Sequence, residues 1–204
     1  MSTRQIGRDA IRNQLAKVAF SQFREVGFDR VTFDALAFAA GVSRSTFLRY
    51  FSSKEDVVLF VFDAVGDDIV CALHGRTAGE AEWVSLRQSL QPAVLFLQEA
   101  DSKLALMQLI WETPALYSRL HEKQAGWRPR MVNEVALWAD TRPASALALR
   151  TRVAAALECL TIAIEAWIND EGQSDLGDLL DESFGALTPD IFRINRGRGG
   201  GFPG

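Results

Sequence analysis

Two cysteines and two histidines are all that 204 residues hold of the side chains most used for metal binding and covalent chemistry. Cys71 and Cys159 sit inside apolar helical patterns, which excludes a disulfide framework and fits buried thiols in a reducing cytoplasm. His74 and His121 lack the Glu-x-x-His pairs of a di-metal bundle, so a helical-bundle enzyme is the weaker alternative and no catalytic residue, metal or cofactor is expected. Glycine clusters only in the final RGRGGGFPG, leaving no phosphate-cradling loop and no nucleophile elbow. No apolar run approaches the roughly 18 residues of a membrane span. The opening MSTRQIGRDA also lacks a signal peptide's apolar stretch, and the expectation is a soluble cytoplasmic protein without a membrane partner. Strand-like alternation of useful length and internal repeats are missing as well.

What the chain has is helical periodicity and enough apolar side chains, 48%, for a real core. Ile11, Leu15, Val18, Ala19, Phe23 and Val26 recur at helical spacing and predict a first helix from about Arg8 to Val26, stopped by Gly27. A connector helix is predicted over 54–75, its apolar side made of Val57, Val58, Phe60, Val61, Val65 and Ile69. Further helices are predicted over 81–99, 102–112, 115–139, 144–170 and 176–187, separated by breaks such as Thr113-Pro114, Thr141-Arg142-Pro143 and Asn169-Asp170-Glu171-Gly172. The fold class is therefore all-α.

The most informative stretch is TFDALAFAAGVSRSTFLRYFSSKED, Thr32 to Asp56. Leu36, Ala37 and Ala40 face one way on a short helix, Gly41 supplies a left-handed turn position, and Phe47 closes the core from a second helix. Ala37 is small because the second helix crosses close above it. Thr32 caps the first helix and Ser43 the second, while Ser52 with Glu55 reads as a capping box for a third. The pattern is that of a DNA-binding helix-turn-helix.

Phe23, Gly27, Phe28, Thr32, Leu36, Ala37, Ala40, Gly41, Val42, Ser43, Thr46, Tyr50, Phe51, Lys54 and Glu55 together resemble the N-terminal domain of TetR-family transcriptional regulators, densely over residues 8 to 60. Leu48 stands where that family usually has an aromatic residue, and Ala35 where it has an acidic one. The resemblance implies a helix-turn-helix domain of residues 1–54, a ligand-binding and dimerisation bundle over 55–190, and a flexible tail over 191–204. It also implies a homodimeric regulator, usually a repressor, released from DNA by a small effector.

Charge distribution agrees with DNA as the partner. Residues 1–54 carry nine Lys and Arg against four Asp and Glu, a charge of +5, whereas the remainder carries −9. Along the recognition segment Arg44 to Tyr50, Phe47 points inward with Phe51, leaving Arg44, Ser45, Thr46, Leu48 and Arg49 on the exposed side. Arg44 and Ser45, near the helix start, are the candidates for base edges, and Arg49 for a guanine or a phosphate. Phosphate contacts are expected from Thr32, Thr46, Tyr50 and Lys54. A non-specific DNA-binding protein without effector control is the second alternative.

In the remainder, Ala144 to Asp170 would span about 40 Å as a helix. Its small residues Ala154, Ala155, Ala156, Ala163 and Ala166 permit close helix approach, and with Leu176, Leu179, Leu180, Phe184 and Leu187 it resembles the family's four-helix dimer interface. Trp83, Phe96, Met107, Trp111, Trp127, Met131 and Trp138 are large apolar residues that could line a cavity for an apolar or aromatic ligand. Glu112-Thr113-Pro114-Ala115-Leu116, with Arg119 beyond, resembles a branch of the family whose ligands are acyl-thioester-like.

Overall fold

The computed structural model describes residues 3–76, 80–138 and 145–187, and among these every regular element is an α-helix. They are α1 (Thr3–Val26), α2 (Phe33–Ala39), α3 (Arg44–Leu48), α4 (Lys54–Leu59), α5 (Val61–His74), α6 (Glu82–Ser89), α7 (Gln91–Gln98), α8 (Asp101–Glu112), α9 (Pro114–Trp138), α10 (Ala146–Asn169) and α11 (Leu176–Ala186). The break at Thr141-Arg142-Pro143 and the tail lie outside the described residues.

Two compact units result, one of Met1–Ala64 with Leu109–Lys123 and one of Val65–Gln108 with Gln124–Gly204. This differs from a boundary after residue 54. Val57, Val58 and Leu59 on α4 are all buried and α4 packs on α1, so the residues after Lys54 belong to the first core. Lys123 forms an ion pair with Asp63, joining the inserted segment to the same unit.

Three expectations are corrected. The connector over 54–75 is two helices, because Asp63 N–H bonds to the Phe60 carbonyl three residues back at 3.1 Å and tightens the chain there. No proline or glycine marks the spot, where Phe60 packs its ring 5.4 Å from Phe51 and beneath the Arg12 guanidinium at 5.0 Å. The segment 81–99 is likewise divided at Leu90, where Pro92 in the first turn of α7 cannot continue an earlier helix's hydrogen bonds. Ile11 and Val26, expected on the buried side of α1, are 45% and 43% exposed, whereas Leu15, Ala16, Ala19 and Phe23 are buried.

In the second unit α10 and α11 form the main packing pair, with α6 and α7 against them. Leu149, Val153, Ala156, Leu157, Leu160, Ile164 and Trp167 make the buried side of α10, and Leu176, Leu180 and Phe184 that of α11. Polar ties cross between helices at the rim. Arg152 pairs with Glu82 at 2.7 Å, and Arg87 pairs with Asp181 while donating to the Gly177 carbonyl at 3.2 Å.

Candidate nucleic-acid interface

The turn between α2 and α3 is built from local hydrogen bonds. Thr32 Oγ1 accepts from Ala35 N–H at 3.1 Å, satisfying a donor at the start of α2. At the other end Val42 N–H reaches the Ala37 carbonyl and Gly41 N–H the Phe38 carbonyl, both at 3.0 Å, the paired bonds of a Schellman stop. That stop needs a left-handed residue, and Gly41 has φ of +68°. Ser43 Oγ then accepts from Thr46 N–H at 3.1 Å and opens α3. The expected Ser52–Glu55 box is displaced by one residue: Ser53 is the cap, accepting from Asp56 N–H at 3.1 Å, and the Asp56 carboxylate accepts from Ser52 N–H at 2.9 Å. The acid is one place further on and reaches past the cap, taking the N–H of the residue before it in place of the cap's own.

Under this frame lies an aromatic core. Phe47 is fully buried, its ring 4.9 Å from Phe33 and 5.6 Å from Phe51. Leu36 and Ala37 are buried against it as α2 packs on α3. With one side of a five-residue helix anchored, the opposite side faces solvent: Arg44, Ser45, Leu48 and Arg49 are exposed and Thr46 and Tyr50 half-buried.

The polar groups on that side are partly engaged with one another. Arg44 Nη1 donates to both Asp34 oxygens at 2.7 and 2.8 Å. The Ser43 hydroxyl donates to Thr46 Oγ1 at 2.9 Å and lies 3.0 Å from Ser45 Oγ. Arg49 stands 5.9 Å over the Tyr50 ring. Lys54 is turned into the domain: its Nζ donates to the Phe28 carbonyl at 2.9 Å and lies 4.5 Å over the Phe28 ring, so it ties α4 to the loop after α1.

Sequence reasoning missed Arg8 and the reason for Ile11. Gly7, Arg8, Ile11, Arg49 and Tyr50 line an open cleft of about 370 Å³ beside the end of α3, and Arg8 Nη2 donates to the Arg49 carbonyl at 3.4 Å. Ile11 is exposed because it faces this cleft. The signal available in the sequence was the cluster of basic residues preceding the helix-turn-helix. The 88% exposed Phe38 on α2 has no explanation in the structure.

Residues 15–61 match the model of bacterial regulatory proteins of the tetR family, and residues 74–191 match that of the MftR C-terminal domain. The chain belongs to the TetR family of transcriptional regulators. It is 26% identical over 194 residues to a Mycobacterium tuberculosis protein described as a mycofactocin biosynthesis transcriptional regulator, MftR, covering 93% of this chain and 95% of that one. Over 131 residues it is 28% identical to the HTH-type transcriptional regulator TcmR of Streptomyces glaucescens, covering 59% of this chain and 58% of TcmR. The fold is shared with Thermus thermophilus FadR, a TetR-family repressor solved with lauroyl-CoA, at a TM-score of 0.56, 20% identity, and coverage of 95% and 99%. TetR-family regulators are not enzymes, which disposes of the helical-bundle enzyme.

The aromatic residues of this TetR-family chain have diverse surroundings. Trp83 stacks 4.5 Å from Phe184 and donates its indole N–H to the Phe184 carbonyl at 3.3 Å, joining α6 to α11. Phe96 carries the Lys103 ammonium 3.4 Å over its ring, and burial pushes the Lys103 pKa down. Met107, Trp127 and Met131 are buried in the second unit. Trp127 lies so close to α5 that a side chain at Gly66 would fall on the indole. Trp111 belongs to the first unit, edge-on to Tyr117 at 5.3 Å. The side chain of Trp138 is outside the described part. No described helix is long and apolar enough to cross a membrane.

Proposed function

We propose that this TetR-family regulator binds a palindromic operator as a homodimer and is released when a small, largely apolar effector occupies its C-terminal domain. The observation that carries the proposal is the exposed side of α3, Arg44, Ser45, Leu48 and Arg49, held rigid by the buried Phe47. Arg44 and Ser45 read base edges from the first turn, Arg49 reads a guanine or holds a phosphate, and Leu48 meets an apolar base edge. Thr32, Thr46 and Tyr50 set register on phosphates. Lys54 adds positive charge there through the donors that Phe28 does not use.

So short a recognition helix specifies only a half-site, which is why two copies are needed, about 34 to 36 Å apart or at a multiple of that. The outer side of α10 suits the dimer contact: Leu147 and Ile162 are 74% and 51% exposed there, and Leu187 after α11 is 56% exposed. Release follows if the effector prefers one arrangement of the two reading heads, since equal affinity for both shifts nothing. The chain passes between its two units inside α5, α8 and α9, so a change in the second unit reaches the first through continuous helices. FadR's lauroyl-CoA complex supports an acyl-thioester-like effector acting on a repressor.

Selection of bound sites from a random duplex library tests the reading directly. A recovered palindrome with half-sites one turn or a multiple apart is expected, and Arg44→Ala costs about 1 to 3 kcal/mol on it if a bidentate base contact is lost. Equal affinity for all duplexes at fixed salt would instead establish a non-specific DNA-binding protein. Quenching of the five tryptophans by acyl-CoA, with loss of operator binding but not of the dimer, is the expected effector result.

A further inference from the structure

Asp34 sits in the first turn of α2 and Arg44 at the first position of α3, ten residues apart across the turn. Both backbones are fixed locally, Asp34 behind the Thr32 cap and Arg44 behind the Ser43 cap, with the Gly41 stop between them. The single nitrogen Nη1 of Arg44 contacts both carboxylate oxygens at 2.7 and 2.8 Å. Arg44 and Asp34 side chains remain 60% and 64% exposed. An exposed ion pair of this kind contributes little to folding, so its consequence lies in what it does to the arginine.

We propose that Asp34 is a specificity-determining positioning residue that acts through Arg44. This rests on the DNA-reading function above. A guanidinium presents five N–H donors in a planar fork, and holding Nη1 leaves the edge formed by Nε and Nη2 free. That edge matches guanine O6 and N7. The same carboxylate neutralises the arginine locally, so Arg44 benefits less from sliding to a phosphate, the contact that carries no sequence information. Asp34 thus selects the base-reading use of Arg44 over the backbone-gripping one.

The test uses the full-length protein, the duplex recovered by library selection, and a scrambled duplex of the same length, across a salt series. Asp34→Asn is expected to tighten binding to the scrambled duplex, steepen its salt slope by about 0.9 because Arg44 then neutralises one more phosphate, and lower the cognate-to-scrambled ratio about tenfold. Repeating the selection with this variant returns the half-site with a guanine position relaxed. Asp34→Ser, equally uncharged, repeats the outcome with a different side chain. In an Arg44→Ala background both substitutions leave ratio and slope unchanged. An unaltered ratio and slope in both single variants, or the same change in the Arg44→Ala background, overturns the role of Asp34 while leaving DNA reading intact. A wild-type protein that selects no duplex overturns the DNA-reading function itself, and the role of Asp34 with it.

Discussion

Helices α2, α3 and α4 of the reading unit have seven, five and six residues, each starting at a side-chain cap, whereas α10 of the second unit runs 24 residues. Helices as short as the first three do not persist alone in water. Their stability comes from caps at the ends and from the shared Phe33–Phe47–Phe51 cluster beneath. The second unit has caps too, at Ser145 and Asp175, but adds contacts far more remote in sequence: Trp83 to Phe184, Arg87 to Asp181, Arg152 to Glu82. Local chemistry therefore dictates the shape that must meet a fixed DNA groove. The region assigned to a varying ligand is held by long-range packing.

Phe47→Ala probes the local side of this comparison most severely. Removing a fully buried phenylalanine should cost about 3 to 5 kcal/mol, lowering the unfolding midpoint and abolishing operator binding. An intact operator affinity would mean that α3 is positioned by something other than its aromatic core. Gly66→Ala probes the long-range side: the added methyl meets the Trp127 indole, and overpacking of about 1 to 3 kcal/mol is expected. Chemical denaturation followed by tryptophan fluorescence reads it, and unchanged stability would show that α9 yields easily.

The caps give smaller and sharper tests. Ser53→Ala should cost about 1 kcal/mol, while Ser52→Ala, whose backbone rather than side chain makes the main contact, should change stability far less. The reverse order would restore the cap to Ser52. Smallest is the effect of acid on α11. The hydrogen bond from Gln98, reinforced by Asp178 N–H, holds the Asp175 carboxyl below its ordinary pKa. A depressed carboxylate stabilises the fold above its unfolded pKa, and that stability fades as pH falls through the folded value. Asp175→Asn should accordingly flatten the acid limb of Tm against pH, and an unchanged limb removes Asp175 from acid sensitivity.

The helix-turn-helix was legible because its signals are local. Thr32, Gly41, Ser43 and Phe47 have the predicted conformations and burial. What misled was equally instructive. Ser52 and Ser53 both satisfy a capping pattern, and only the folded backbone selects between Glu55 and Asp56 as partner. Lys54 looks free in sequence, yet Phe28, 26 residues away, takes its ammonium. Arg44 looks free as well, and Asp34 holds it. Among the large apolar residues, periodicity marks a buried side without telling a packing tryptophan such as Trp83 from one beside a ligand.

By itself the sequence determined the all-helical class, the turn at Gly41, and the starts of α2 and α3. Each follows from residues within a few positions of one another, where backbone geometry and hydrogen-bond reach leave few choices. Tertiary structure alone decided the break at Phe60, the inward turn of Lys54, the attachment of Leu109–Lys123 to the first unit, and the pairing of Asp34 with Arg44. Those depend on which surfaces meet in space, a relation that helical period and local propensity do not encode.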